Sequence, residues 1–180
     1  IPSRGLGDVY KRQELCNVPI VTAAGHGDAI PFNHKLNAGQ MGPRGNPVAS
    51  RLVKNADVIL AIGTRLGFNS TFYSYENINK NAKIIQIELE KKMLGKYFPV
   101  KVKIYADAAT ATNQLYEEIK NKKIKLNVKN WTNSYLKERK EYLLNRDNEN
   151  LGPNFTIQPK GLFKQLRKVM PKNSAITLDA

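Results

Sequence analysis

The sequence predicts an α/β fold with a doubly wound parallel sheet, and three observations carry that prediction. Short apolar runs rich in β-branched residues recur at Pro19–Ala24, Val58–Ile62, Lys83–Glu90 and Val100–Asp107. Segments with helical spacing of apolar residues separate them. The runs end in glycine-bearing or acidic segments, as strands do when their carboxyl ends open into loops. Strands alternating with helices in this way form βαβ units around a parallel sheet.

Each element follows from its own residues. PIVTAA (Pro19–Ala24) suits a buried strand closed by the loop Gly25-His26-Gly27-Asp28, after which a long glycine-rich loop is expected as far as Gly45. Asn46-Pro47 has the form of a helix N-cap followed by proline at the first helical position, and Val48, Ala49, Leu52 and Val53 give the stripe of a helix ending near Asn55. VILAI (Val58–Ile62) is apolar throughout, as expected of a strand covered on both faces. KIIQIELE (Lys83–Glu90) is a third strand, and VKVKIYAD (Val100–Asp107) alternates, which places it nearer an edge. Asp107 is placed to cap a helix over Ala108–Lys120, with Ala111, Leu115, Tyr116 and Ile119 on one side.

Beyond Lys120 the character changes. A basic linker leads to an amphipathic stretch around Trp131, Tyr135, Leu136, Tyr142 and Leu143, weakly packed at the boundary, and Asn148–Pro159 reads as loop. A helix over Lys160–Met170, a turn at Pro171–Ser174 and a strand at Ala175–Leu178 follow. The expected organisation is a central domain over residues 14–122, a helical linker over 123–159, and over 160–180 the opening of a further, truncated domain. Ile1–Gln13 shows neither helical nor strand periodicity, and Arg4–Gln13 resembles translated sequencing-adapter DNA. It is expected to be a non-native or disordered tail and is set aside.

Composition narrows the function classes. With 180 residues and 41% apolar composition, the chain has the material for one domain with a sizeable core plus extensions. A single cysteine, Cys16, excludes an internal disulfide framework and points to a reducing, cytoplasmic compartment. No apolar run approaches the roughly 20 residues that span a bilayer, so no membrane partner is expected. The formal net charge of +14 invites a nucleic-acid reading, but much of the excess lies in Lys120–Lys129 and Lys160–Lys172, where lysine outnumbers arginine. Runs of that kind are more often solvated faces than groove-binding surfaces, so a nucleic-acid partner is not expected.

Ligands of doubly wound sheets lie beyond the carboxyl ends of the strands, where strand order reverses. The candidate loop Met41–Gly45 (MGPRG) enters a helix, so its glycines would let backbone approach a pyrophosphate while Arg44 supplies charge. The alternative is a simple turn. Gly63 and Arg65 follow the second strand, and Glu88 stands where a carboxylate accepts ribose hydroxyls or merely ends a strand in solvent. His26 and His34 lack metal-site spacing or carboxylate company, no nucleophilic triad can be assembled, and no Gly-x-Gly-x-x-Gly follows a strand. No catalytic or metal-ligating residue is therefore assigned.

At these residues the chain resembles the central domain of thiamine-diphosphate-dependent enzymes of the acetolactate synthase and sulfoacetaldehyde acetyltransferase group. The matching segments, in order, are PIVTAAGHGDAIP (Pro19–Pro31), MGPRGNPVA (Met41–Ala49), ADVILAIGTRL (Ala56–Leu66), AKIIQIELE (Ala82–Glu90) and YADA (Tyr105–Ala108), with Pro159–Ala180 similar to the start of the diphosphate-binding domain. The resemblance implies a Rossmann-like fold of the type that holds NAD or FAD in related proteins. It further implies that thiamine diphosphate and Mg²⁺ belong to the parent enzyme through domains outside this stretch, and that the central domain holds FAD, ADP or no nucleotide. By match to the family, the cofactor-binding positions are Met41, Gly42, Arg44 and Gly45 near a pyrophosphate, Gly63 and Arg65 after the second strand, Glu88 and Leu89 at an adenosine, and Asp107 and Ala108 nearby. Acetolactate synthases continue the Gly-x-Arg segment with Phe and two acidic residues, whereas this chain reads GTRLGFNSTF (Gly63–Phe72), closer to the sulfoacetaldehyde acetyltransferase branch. The implied parent is a homo-oligomer acting on a small 2-oxo acid or aldehyde and handing a two-carbon unit to an acceptor, with this piece inactive alone. A free-standing nucleotide-binding module is the alternative.

Overall fold

A computed structural model describes residues 15–148, 159–171 and 173–174, and divides the chain into two units, Ile1–Arg139 and Lys140–Ala180. The tail Ile1–Gln13, residues 149–158 of the expected loop, and the expected strand Ala175–Leu178 lie outside the described residues.

In the first unit the elements run β1 (Ile20–Thr22), β2 (Asn37–Gln40), α1 (Pro47–Lys54), β3 (Val58–Ile62), α2 (Phe68–Thr71), β4 (Lys83–Glu88), β5 (Val102–Tyr105), α3 (Ala108–Asn121) and α4 (Lys129–Asn148), whose latter part belongs to the second unit. All pairings are parallel: β1 with β2, and β3-β4-β5 in that order with Leu60 opposite Ile85 and Ile85 opposite Val102. β5 is an edge strand, as its alternation predicts.

The two faces of the three-stranded sheet are wound by different helices. Alternation along β3 sends Ile59 and Ala61 to one face, where they join Ala49, Leu52 and Val53 of α1 and Ile84 of β4 in the main core. Val58, Leu60 and Ile62 point the other way, in register with Lys83, Ile85 and Ile87. On this second face burial is concentrated at the carboxyl ends. Ile87 is fully buried near the start of α3, whose Ala111 is also buried, whereas Val58 and Leu60 are 56% and 42% exposed. This corrects the expectation that VILAI is covered on both faces: the cover reaches only the carboxyl half of the strand.

β2 is a further correction, since it lies inside the expected long loop. Its sequence, NAGQ, has no strand pattern, and tertiary bonds fix it instead. Asn37 Nδ2 donates to Pro31 O at 3.1 Å and its Oδ1 accepts from Gly39 N at 2.8 Å. Gly39 has φ +106°, and a Cβ there would stand 2.8 Å from Asn46 Nδ2.

The boundary after α3 is also packed more firmly than the sequence suggests. The first half of α4 lies on the domain: Trp131 and Tyr135 pack against the core, and Tyr135 Oη accepts from Asn55 Nδ2 at 2.8 Å. The fully buried Thr132 donates to Asn17 O at 2.8 Å, and Glu138 pairs with Arg51. In the second unit α5 (Pro159–Val169) leaves Leu162, Phe163 and Val169 exposed, and Ser174 N donates to Pro171 O in the expected turn.

Candidate functional site

The carboxyl ends of β1, β3 and β4 open on a common cleft of about 560 Å³. Ala23, Ala24 and His26 contribute from the loop after β1; Gly63, Thr64, Arg65 and Gly67 from the loop after β3; Glu88 from the last position of β4. α2 adds Phe68, Asn69 and Ser70, and Tyr73 and Tyr97 complete the lining.

Local bonding explains how these residues are held. Gly63 carries φ +59°, a conformation that favours glycine, and its N–H donates to Ile87 O at 2.9 Å, tying the loop to β4. Gln86, buried in mid-strand, donates through Nε2 to Thr64 O at 3.1 Å and accepts at Oε1 from Gly95 N at 2.8 Å. It thereby joins the loops after β3 and β4. Sequence reasoning passes over it; the available signal is an amide inside an otherwise apolar strand, which demands partners once buried.

Three of the sequence-predicted residues meet in the cleft: Gly63, Arg65 and Glu88. Glu88 is buried, and its Oε1 accepts from Glu90 N at 3.1 Å, leaving Oε2 as an acceptor at the cleft floor. Arg65 brings a cation to the rim, where Nη2 contacts Glu90 Oε2 at 2.8 Å. Glu90 also accepts from Lys92 Nζ at 2.8 Å. The Lys92 bond first, helped by the charges of Lys92, Arg65 and Lys96, holds its carboxyl below the usual glutamate range against the opposing desolvation.

Met41, Gly42, Arg44 and Gly45 do not line the cleft. Met41 is in the core, and Arg44 is exposed. Gly42 N meets Ser50 Oγ at 3.2 Å, Gly45 N donates to Gly42 O, Asn46 N to Gln40 O, and Val48 N to Asn46 Oδ1. These donors are thus engaged inside the protein. The glycines serve close packing: a Cβ on Gly42 would lie 2.4 Å from Asn69 O, and one on Gly45 2.4 Å from Gln40 O. The MGPRG loop therefore buttresses α2, which walls the cleft. Leu89 is exposed beside Glu88. Asp107 caps α3, its Oδ1 accepting from Thr110 N at 2.9 Å, and Ala108 is the first helical residue. The Thr110 N–H and then its hydroxyl hold the Asp107 carboxyl below its ordinary value.

Among the described residues no group of three or more His, Cys, Asp or Glu side chains is placed to bind a metal. No described helix is long and apolar enough to cross a membrane.

Comparison with known proteins bears on the family of the chain. The family described as "Thiamine pyrophosphate enzyme, central domain" matches residues 7–115, a span that starts inside the expected tail. A sulfoacetaldehyde acetyltransferase of Castellaniella defragrans is 26% identical over 92% of this chain and 31% of its own length. The sulfoacetaldehyde acetyltransferase of Roseovarius nubinhibens is 39% identical over 53% of this chain and 16% of its own. A probable acetolactate synthase large subunit of Methanococcus aeolicus is 26% identical over 96% of this chain and 30% of its own. The chain thus spans less than a third of the length of these relatives. With parallel strands wound by helices on both faces and the family match covering more than half its length, the chain belongs to the central-domain family of thiamine pyrophosphate enzymes.

Proposed function

We propose that this chain is the central part of a thiamine-diphosphate-dependent enzyme that cleaves a small 2-oxo acid or aldehyde and transfers the two-carbon unit to an acceptor. Acetyl transfer of the sulfoacetaldehyde acetyltransferase kind is the favoured form. The observation that carries the reading is the run of relatives named sulfoacetaldehyde acetyltransferase or probable sulfoacetaldehyde acetyltransferase, 34–39% identical over 53–59% of this chain. The acetolactate synthase form is the second reading, supported by relatives that match nearly the whole chain.

Thiamine diphosphate, when bound with Mg²⁺, supplies the electron sink for breaking the bond beside a carbonyl. This chain's own part is to hold a nucleotide. Glu88 Oε2 is an acceptor for ribose hydroxyls and Arg65 a rim cation for phosphate, whereas the Leu66–Phe72 segment lacks the acidic pair of acetolactate synthases. ADP therefore suits the cleft better than FAD. The full-length protein, as a cytoplasmic homo-oligomer, is expected to convert sulfoacetaldehyde and phosphate to acetyl phosphate and sulfite, the carbon–sulfur bond breaking as sulfite leaves, when supplied with thiamine diphosphate and Mg²⁺. Formation of acetolactate from pyruvate would move the reading to its second form. Turnover of neither substrate would overturn both.

A further inference from the structure

The turn after α2 is unusual in its backbone. Phe72 and Tyr73, two bulky aromatic residues in succession, have φ of +52° and +56°, and Leu66 before the helix has φ +51°. Non-glycine residues in this region are strained and persist only where their surroundings over-determine them, which marks candidate functional sites.

The surroundings here do so. Thr71 is fully buried, and its hydroxyl donates to Leu66 O at 2.8 Å while accepting from Tyr73 N at 3.1 Å. Its carbonyl accepts from Asn77 Nδ2 and from Ser74 N, both at 3.0 Å. The product of this bonding is a run of rings at the cleft. Phe68 and Tyr73 have centroids 5.8 Å apart, and Tyr73 sits 4.5 Å from Tyr97, which packs against the core. Tyr73 and Phe68 nonetheless remain about half exposed, at 49% and 54%, and both line the cleft. Open aromatic faces beside a carboxylate and a cation suit a ligand with a planar ring, a hydroxylated sugar and an anionic chain.

We infer that Tyr73, backed by Tyr97 and flanked by Phe68, is the ring-holding wall of this cleft, and that it holds a nucleoside diphosphate by stacking on the base. The inference rests on the nucleotide reading above and deepens it: Glu88 and Arg65 recognise sugar and phosphate, while the strained turn supplies recognition of the base.

The test is calorimetric titration of the full-length protein with ADP and, separately, with pyrophosphate, which has no ring. Tyr73→Leu keeps apolar bulk at a half-exposed position and removes the ring. It is expected to weaken ADP binding about tenfold, the usual scale of base-aromatic stacking, and to leave pyrophosphate binding unchanged. Tyr73→Phe, which keeps the ring, is expected to bind ADP as the natural protein does. Natural protein that binds ADP, with Tyr73→Leu binding it equally well, overturns the ring-wall inference and leaves the nucleotide reading standing. The ring-wall inference also fails if Tyr73→Phe is as weak as Tyr73→Leu. A folded natural protein that binds neither probe overturns the nucleotide reading and the inference with it.

Discussion

Arg65 reaches the cleft rim with its charge already engaged. Glu90 shares its carboxylate between Arg65 and Lys92, and the side chains of the Arg65 pair are 52% and 36% exposed, so solvent screens the attraction and the pair is weakly held. An incoming phosphate competes with Glu90 for the guanidinium. Glu90→Gln is therefore expected to tighten ADP binding about two- to fivefold at neutral pH and leave adenosine binding unchanged, measured by calorimetry. The sign of the pH dependence follows from the lowered Glu90 carboxyl. A depressed folded value means the pairing is fully present above the ordinary glutamate value and is lost as pH falls through the folded one. The natural protein should thus approach the variant only below the ordinary glutamate range. At this scale the sequence is partly legible. Glu88 and Arg65 stand out by position, and Asn46 and Asp107 by cap chemistry, because each effect is local. Gln86 and Tyr73 do not, since their roles arise from loops brought together only by the sheet.

The elements divide along the same line. α1 and α3 are readable because a cap and an apolar stripe lie within a dozen residues, and both form with the expected N-caps. β2 is not, because NAGQ carries no strand pattern of its own and becomes a strand only by pairing with β1, with Asn37 and Asn46 holding the loop around it. The MGPRG loop stands at the entry of α1 as expected, but its donors turn inward and its glycines face backbone. Gly42→Ala would put a Cβ against Asn69 O at a residue with φ +103°. The substitution is expected to destabilise the protein by roughly 2–3 kcal/mol in denaturant unfolding, through combined strain and overpacking, and to weaken ADP binding by displacing α2. An unchanged midpoint would show that the loop does not buttress α2. Likewise, the sequence suggests a loosely attached α4, yet Thr132, Trp131 and Tyr135 fasten its first half to the domain. Its apolar residues are few, so the attachment depends on one buried hydroxyl and two aromatic rings that a periodicity reading underweights.

At the scale of the whole molecule, parallel strands with helices wound on both faces concentrate the loops at one end, which is why Gly63, Arg65 and Glu88 meet despite their separation in sequence. The +14 charge, which alone suggests nucleic acid, lies in good part in Lys120–Lys129 and Lys160–Lys172, and among the described residues Arg65 is the one Lys or Arg that lines the cleft. The fold class is legible because alternating strand and helix signals survive averaging over many residues. The extent of strand cover is not, since it depends on how far α3 reaches along the sheet. Membership of a working thiamine-diphosphate-dependent enzyme can be put to a single titration: thiamine diphosphate is added stepwise, with Mg²⁺, to the cofactor-stripped full-length protein while consumption of sulfoacetaldehyde or pyruvate is followed. The expected rate rises from zero and saturates with the cofactor. A rate that is the same with and without thiamine diphosphate, or absent throughout in a folded protein, is incompatible with that membership.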